Sequence, residues 1–449
     1  MASPAFASAR SESAALPIAP PAGAGEVYLV GRRGSPHVPD FRDFLERNRV
    51  AFRWIDIDRN PLVRMLDGSG ALEDVGLPFC LFQDGTTLEA LPDRDGVAGF
   101  ARTRAALAAR VGLHAAPSLE TYDVVILGAG PAGLTAAAYA ASEGLSTVVV
   151  ERHAAGGQAG TSARIENYPG FPQGVSGSEL AQAAHEQALR LGAEIVIGSE
   201  MVESGPGADC SASLTLASGA VLRGRALIVA TGSHYRRLDA EGIDALGGAG
   251  VYYGSSPSEA AFHRGGDVFI VGGANSAGQA ALHAASYARS VTLVVRGSSL
   301  AARMSQYLVE RCERHPGIAI RTDTKVVRAL GEGKLERLVL QDVRTGAEEP
   351  VHADALFILI GGEPTSRCAK GWLRRDEHGF VMTGPDVLAN GGREQWWKLE
   401  RDPYPLEGSH PGVFFAGDVR HGSTKRVASA VGEGAMAVQL VHRYLASAE

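Results

Sequence analysis

One stretch, Tyr122–Arg152, constrains the fold more than any other part of the chain. It runs from a short apolar strand through a glycine-rich turn and an Ala-rich helix into a second apolar strand. The turn, Gly128–Gly133, has the spacing G-x-G-x-x-G. In such a turn the first glycine permits a sharp bend, the second lets the backbone approach a pyrophosphate, and the third lets helix and strand pack closely. The stretch therefore predicts a dinucleotide-binding βαβ unit, with Glu151 placed to bind ribose hydroxyls.

A second stretch, residues 267–296, repeats the order of strand, turn, helix and strand, and it is the only internal repeat. Its turn carries Ala274 where the middle glycine belongs, so a methyl group stands where the backbone should approach a pyrophosphate. Arg296 follows the second strand, where an NAD-selective fold would place an acid. An arginine there can pair with a 2′-phosphate, which favours NADPH. The residues predicted to bind this nucleotide are Gly272, Gly273, Asn275, Ser276, Arg296 and Arg303.

Length and composition set broad limits on the fold and the partners. A chain of 449 residues exceeds what one hydrophobic core normally serves, so two or three domains are expected. Its 45% hydrophobic and 21% charged residues are typical of a globular protein, and the net charge of −7 gives no reason to expect nucleic acid. No apolar run is long enough to span a membrane. Residues 1–25 predict a disordered tail, with a cleaved organelle-targeting peptide as the alternative.

The four cysteines lie far apart at Cys80, Cys210, Cys312 and Cys368. They form no C-x-x-C pair and no metal-ligand spacing, so no metal is expected. A reducing cytoplasm is the compartment that fits them, and each is expected to be a small buried hydrophobe.

Residues 26–114 predict a separate small α/β unit. Two strands flank a helix over 40–48, a hairpin is expected around Gly85, and an Ala/Arg-rich helix closes the unit over 96–111. This order resembles the glutaredoxin- and thioredoxin-like fold, with Pro78 where that family carries its cis-proline. The slot for the redox cysteines, at 35–38, contains none, and Cys80 lies just past the proline. We therefore expect a docking or oligomerisation module and not a dithiol carrier.

From residue 120 onward the chain resembles the low-molecular-weight thioredoxin reductases. The motifs that carry this resemblance are GGQ (156–158), IENYPGF (165–171), ALIVATGS (226–233) and GVFFAGDV (412–419). The resemblance implies FAD, with the Asp418 carboxylate on the ribityl chain and 425–427 beside the flavin pyrimidine. It assigns FAD binding to Gly128, Gly130, Pro131, Ala132, Gly133, Glu151, Arg152, Gly157, Gln158, Asn167, Ala230, Thr231, Gly232, Gly417, Asp418, Lys425, Arg426 and Val427.

The resemblance also implies an α/β architecture of two Rossmann-like domains and a homodimer. A nicotinamide domain over 239–358 would interrupt an FAD domain made of 120–238 and 359–449. Members of this family carry a C-x-x-C pair just before the second Rossmann strand, whereas the corresponding segment here, 253–258, has no cysteine. Thiol–disulfide exchange needs a thiolate, so thioredoxin reduction by the usual route is not expected.

The sequence leaves three functions open. The first is an FAD-dependent oxidoreductase that moves a hydride between NADPH, flavin and an acceptor or small molecule other than thioredoxin. The second is a flavin oxidase that uses O₂ and no NADPH. The third is a flavin-loaded redox sensor or interaction protein. No catalytic acid or base can be assigned, although Tyr252, Tyr253, His263 and His421 lie in segments expected to approach the flavin or the domain cleft.

Overall fold

The computed structural model describes residues 27–32, 37–60, 77–90, 99–162, 165, 167–207, 212–247, 249–254 and 263–448. Among the helices in these ranges, none is both long enough and apolar enough to cross a membrane.

The N-terminal unit consists of β1 (Val27–Gly31), α1 (Val38–Arg47), β2 (Phe52–Asp56), β3 (Phe79–Leu81), β4 (Thr87–Glu89) and α2 (Gly99–Arg110). Its strands form a four-stranded sheet of order β2-β1-β3-β4. The hairpin predicted around Gly85 is confirmed by antiparallel pairing of β3 with β4. The Leu77–Pro78 peptide bond is cis. Residues 35 and 36 of the expected cysteine slot lie outside the described residues, and the likeness to thioredoxin stays a prediction.

The first Rossmann-like sheet follows. Its elements are β5 (Thr121–Leu127), α3 (Pro131–Ser142), β6 (Thr147–Glu151), α4 (Gly177–Arg190), β7 (Glu194–Ile197), β8 (Met201–Gly205), β9 (Ala212–Leu216) and β10 (Val221–Val229). The strands lie in the order β7-β6-β5-β10-β9-β8, and the late strand Val413–Phe415 adds to β10. Strands β5 and β6 are buried along most of their length, as expected for central parallel strands covered on both faces. Helix α4 starts in a capping box of Ser176 and Glu179.

Strand β11 (Ser233–Tyr235) leads into the inserted unit. The elements of this unit are β12 (Val251–Tyr253), β13 (Asp267–Val271), α5 (Asn275–Ala284), β14 (Ser290–Val294), α6 (Gln306–Arg314), β15 (Ile318–Arg321), β16 (Thr324–Leu330), β17 (Arg337–Asp342), β18 (Glu348–His352) and β19 (Ala355–Ile358). They form a five-stranded parallel sheet of order β12-β19-β13-β14-β15 and a three-stranded antiparallel sheet of order β16-β17-β18.

The chain then returns to the first sheet. Strand β20 (Gly362–Pro364) pairs antiparallel with β11, so the segments that enter and leave the inserted unit lie side by side. The remaining elements are α7 (Pro385–Leu388), α8 (Gly392–Trp396), β21 (Val413–Phe415) and α9 (Val427–Ala448). Helix α9 is the last of these elements. It packs so closely on α3 that a side chain at Gly434 would overlap the carbonyl oxygen of Ala132.

Candidate functional site: a cavity at the carboxyl ends of the first Rossmann sheet

A cavity of about 870 Å³ lies where β5, β6, β10 and β21 end. Ligands of open α/β sheets bind at this edge, and the volume falls within the range of cofactor sites. Many of the residues predicted from the sequence line it together: Gly128, Gly130, Pro131, Ala132, Glu151, Arg152, Gly157, Gln158, Ala230, Thr231, Gly232, Ser276, Gly417, Asp418, Lys425, Arg426 and Val427.

The glycines of the first turn have distinct roles. Gly128 has φ +98°, a conformation that favours glycine. Gly130 caps α3 in an extended conformation, and a Cβ added to it would meet no atom of the protein within 4 Å. Gly133 is not among the residues that line the cavity. A Cβ there would overlap the carbonyl oxygen of Gly128, so Gly133 permits the close packing of helix on strand.

Glu151 is buried at the end of β6, with 8% of its surface exposed. Its carboxylate accepts hydrogen bonds from the backbone N–H groups of Ala129 (2.7 Å) and His153 (2.8 Å). The residue thus holds the glycine-rich turn in place and still lines the cavity.

The Gly156-Gly157-Gln158 loop closes over the turn. The N–H of Gly156 donates to the carbonyl of Ala129 at 2.7 Å, and Gln158 Nε2 donates to the carbonyl of Ser233 at 2.6 Å. Asn167 behaves differently from the prediction: it is exposed and is not among the residues that line the cavity. Arg164 and Glu166 lie outside the described residues.

Asp418 also lines the cavity, and its carboxylate accepts no hydrogen bond from a residue the structure describes. Burial raises the pKa of this carboxyl, and the negative charge of Glu433 adds to the rise, whereas the positive charge of Lys425 opposes it. Glu433 also holds the turn before Asp418, because it accepts from the N–H of Gly417 at 2.6 Å and pairs with Arg420 at 2.6 Å. The Lys425 ammonium lies 4.5 Å from the centre of the Phe380 ring.

Some residues at this site were not predicted. Thr365 lines the cavity, and its Oγ1 is buried without a partner among the described residues. Its backbone joins the two segments of the first Rossmann unit, because its N–H donates to the carbonyl of Gly232 and its carbonyl accepts from Thr231 Oγ1. The sequence carried no signal for Thr365, since it lies in none of the motifs that carry the family resemblance. Three further unpredicted lining residues, Asp40, Arg47 and Arg104, come from the N-terminal unit.

The register of the inserted unit corrects one prediction. Leu127 pairs with Val150 in the first unit, and Val271 pairs with Val294 in the second. The residue equivalent to Glu151 is therefore Val295, and Arg296 stands one position beyond the place of the acid. Arg296 is exposed, whereas Val295 is buried.

The inserted unit reaches the cavity through one face of α5. Ser276, Gln279 and His283 line it. Asn275 does not line the cavity; its side-chain oxygen accepts from the N–H of Ser305 at 2.8 Å, and the residue is 7% exposed. The other predicted nucleotide residues that do not line the cavity are Gly272, Gly273, Arg296 and Arg303.

The four candidate acid–base residues make contacts of their own away from the cavity wall. The Tyr252 hydroxyl lies 3.0 Å from His263 Nε2, and burial lowers the pKa of His263. The Tyr253 hydroxyl accepts from the N–H of Leu238, and His421 Nδ1 lies 2.7 Å from the Asp376 carboxylate. Residues 255–258, in the segment that corresponds to the disulfide of the reductases, lie outside the described residues.

The cysteines that the structure describes are buried thiols. Burial raises the pKa of Cys80 and Cys368 to about 12 and that of Cys312 to about 11. Cys368 lines the cavity, but with such a pKa it is a neutral thiol at pH 7. Cys210 lies outside the described residues.

One group of metal-ligand type exists among the described residues, formed by Asp267, His352 and Asp354. Arg289 already pairs with Asp267, and its hydrogen bond holds the pKa of that carboxyl at about 2. The group therefore has a charge partner within the protein.

Comparison with known proteins identifies the class. The sequence model of the pyridine nucleotide-disulphide oxidoreductase family matches residues 122–434. A thioredoxin reductase of Streptomyces clavuligerus is 34% identical over 330 residues, which cover 73% of this chain and 95% of the relative. A 34.2 kDa protein in the rubredoxin operon of Clostridium pasteurianum is 31% identical over 72% of this chain and 97% of its own. The crystal structure of T. acidophilum thioredoxin reductase matches with a TM-score of 0.64 and 27% identity, covering 74% of this chain and 100% of that one.

The chain therefore belongs to the pyridine nucleotide-disulphide oxidoreductase family. It is an FAD-dependent oxidoreductase that resembles thioredoxin reductases, with two Rossmann-like domains. The predicted α/β fold class and the predicted family are confirmed.

Proposed function

We propose that this enzyme passes a hydride from NADPH to FAD, and from reduced FAD to a small-molecule acceptor other than thioredoxin. The observation that carries the proposal is the shared cavity. One wall contains the first glycine-rich turn and Asp418, and another contains Ser276 of the second turn. A dinucleotide held by each turn would bring a nicotinamide and a flavin into one enclosure.

The residues present fit FAD. The open space beside Gly130, at the N-terminus of α3, suits a pyrophosphate, because the first N–H groups of a helix are free to bind it. The Asp418 carboxylate faces the cavity as an acceptor for ribityl hydroxyl groups. When bound, FAD supplies the hydride-accepting chemistry, and the protein positions and tunes it.

NADPH is favoured by the charges at the end of the inserted unit. Arg296 and Arg303 are both exposed, and neither forms an ion pair with a described residue. A free guanidinium is well suited to a 2′-phosphate, since it can form two charge-assisted hydrogen bonds to it.

The acceptor is set apart from thioredoxin by the absence of a redox pair. No two cysteines of the sequence stand in C-x-x-C spacing. Because the described thiols are buried and have raised pKa values, they offer no thiolate for disulfide exchange.

A stopped-flow trace of flavin absorbance, recorded without oxygen, tests the proposal. We expect NADPH to bleach the flavin faster than NADH, and reoxidation to follow on adding a quinone or nitro compound but not oxidised thioredoxin. Rapid turnover of thioredoxin that requires a cysteine of this chain would overturn the choice of acceptor.

The thiols give a second test. We expect a thiol reagent to label at most Cys210 in the native protein and all four cysteines in denaturant. Fast native labelling of Cys368 would show that a reactive thiol faces the cavity.

A second candidate function is a flavin oxidase that uses O₂ and takes no electrons from NADPH. Ala274 favours it, because this residue caps α5 in the extended conformation that Gly130 has at α3, and it adds a methyl group there. The anaerobic trace separates the two functions, since the oxidase would show no bleaching by either nucleotide.

We also propose a cytoplasmic homodimer. Exposed apolar side chains on the first Rossmann unit support an interface, namely Tyr139 on α3, Leu189 on α4 and Met436 on α9. Light scattering should give twice the chain mass of 46.9 kDa, and a monomer mass would contradict this.

A further inference from the structure

The cavity has a wall that the family relationship does not account for. Asp40 and Arg47 of α1 and Arg104 of α2 line it, although the family match begins only at residue 122. They reach the cavity beside Arg152 and Glu200. Arg152 directly follows Glu151, the residue at the ribose position of a dinucleotide fold, so this is the adenosine end of the site.

The N-terminal unit is fixed to this end by direct contacts. Arg104 forms an ion pair with Glu200, and the two side chains are 15% and 28% exposed. Arg47 Nη2 donates to the carbonyl of Gly157 at 2.8 Å, in the loop that closes over the glycine-rich turn. Asn48 Nδ2 donates to the carbonyl of His153 at 3.0 Å. Each bond ends on a residue that lines the cavity or on its immediate neighbour.

Packing confirms that the contact is intimate. Gly198 has φ +76°, and a Cβ there would lie 2.9 Å from the carbonyl oxygen of Arg104. Buried side chains of α1 and α2, such as Phe44 and Leu107, belong to the same apolar cluster as Ile126 of the first Rossmann sheet. The apolar core is therefore continuous between the N-terminal unit and the first Rossmann sheet.

Two polar side chains at this end have unmet hydrogen-bonding capacity. Arg104 Nε and His153 Nδ1 are buried and have no partner among the described residues. His153 Nε2 contacts the Asp43 carboxylate. In the tautomer that donates from Nε2 to this carboxylate, Nδ1 is an acceptor. Burial and the nearby Arg47, Arg104 and Arg152 lower the pKa of His153 to about 3, which keeps the imidazole neutral.

An N–H donor and an imidazole acceptor suit an adenine, whose edge offers ring-nitrogen acceptors and an amino donor. A planar guanidinium can also stack on an aromatic base. We propose that the N-terminal unit completes the FAD site by enclosing the adenosine half through Arg47 and Arg104. This inference rests on the proposed binding of FAD in the cavity, and it gives the N-terminal unit a role in retaining the cofactor.

The test compares the rate of FAD release from full-length Arg47→Ala and Arg104→Lys with the rate from wild type. The recovery of flavin fluorescence after dilution measures this release. Arg104→Lys keeps a cation opposite Glu200 but removes the planar group and its Nε–H. Arg110→Ala is the matched control, because Arg110 lies on α2 and pairs with Asp84 inside the N-terminal unit. Denaturant unfolding of the FAD-free proteins measures any purely structural effect.

We expect each of the two variants to release FAD about tenfold faster, since stacked or charge-assisted contacts to a base are worth this much. The FAD-free proteins should unfold like wild type, and Arg110→Ala should release FAD at the wild-type rate. Release rates within twofold of wild type in both variants would overturn the inference. So would losses of FAD-free stability large enough to explain the faster release. A wild-type protein that binds no FAD would instead overturn the proposed function itself.

Discussion

The two glycine-rich turns, 128–133 and 272–277, lie in the same register between paired parallel strands, yet they differ where a dinucleotide would touch them. In the first, the N-cap of the helix is Gly130, beside open space, and Glu151 fastens the turn from the neighbouring strand. In the second, the N-cap is Ala274, and Val295 stands in place of the acid.

The difference shows what each turn is built to tolerate. The first needs glycine at its last position, because Gly133 packs directly on the backbone of Gly128. The second has Ala277 at that position, and the side-chain oxygen of Asn275 accepts a hydrogen bond from the N–H of Ser305, at the start of α6. The first unit leaves its turn free for a ligand, whereas the second has committed part of its turn to internal packing.

The largest expected effect concerns the closing glycine. Gly133→Ala should lower the free energy of unfolding on the order of 3 kcal/mol, because its Cβ overlaps a backbone oxygen that cannot move away. The reverse change in the second unit, Ala277→Gly, should cost only about 1 kcal/mol through helix propensity. Denaturant titration of both variants checks the comparison. Equal losses would mean that the two turns pack alike.

The next effect separates ligand space from fold. Gly130→Val should weaken FAD binding on the order of 100-fold, about 2.7 kcal/mol, while the FAD-free protein unfolds like wild type, since its side chain points into open space. Ala274→Val is the control in the second turn and should leave FAD bound. A Gly130→Val protein that purifies with full flavin content would refute the assignment of the first turn.

A smaller effect is expected at the exposed arginine of the second unit. Arg296→Ala should raise the KM for NADPH about tenfold and leave that for NADH nearly unchanged, because only NADPH carries the 2′-phosphate. Arg289→Ala serves as control, since Arg289 is an exposed arginine before β14 that already pairs with Asp267. Steady-state kinetics with both nucleotides measures the effect. Equal rises in the KM for NADPH and the KM for NADH in Arg296→Ala would contradict the prediction.

The smallest effect tests whether the second turn is merely crowded. Ala274→Gly should tighten both nucleotides about threefold, since removal of one methyl group relieves a modest overlap at the pyrophosphate. Anaerobic flavin reduction measures it for NADPH and NADH. If neither nucleotide reduces the flavin even in this variant, electrons do not enter through the inserted unit and the oxidase becomes the better description.

The sequence alone determined the features that depend on neighbouring residues. The family resemblance implied that 417–418 and 425–427 lie with the first glycine-rich turn. The two βαβ units and the hairpin at Gly85, in contrast, follow from spacing and turn chemistry. Such features are local, because a glycine-rich turn between a strand and a helix leaves the backbone few alternatives.

Tertiary structure decided the rest. The apolar run VTLVV does not show where the strand ends. The pairing of β13 with β14 shows that the strand ends at Val294 and that Val295 is equivalent to Glu151 of the first unit. Arg47 donates a hydrogen bond to the carbonyl of Gly157, 110 residues further along the chain, and no local sequence pattern predicts that contact. Which side chains meet there depends on how units that are distant in sequence pack against each other. That packing is set by the shapes of whole surfaces, and the spacing of residues along one segment does not encode those shapes.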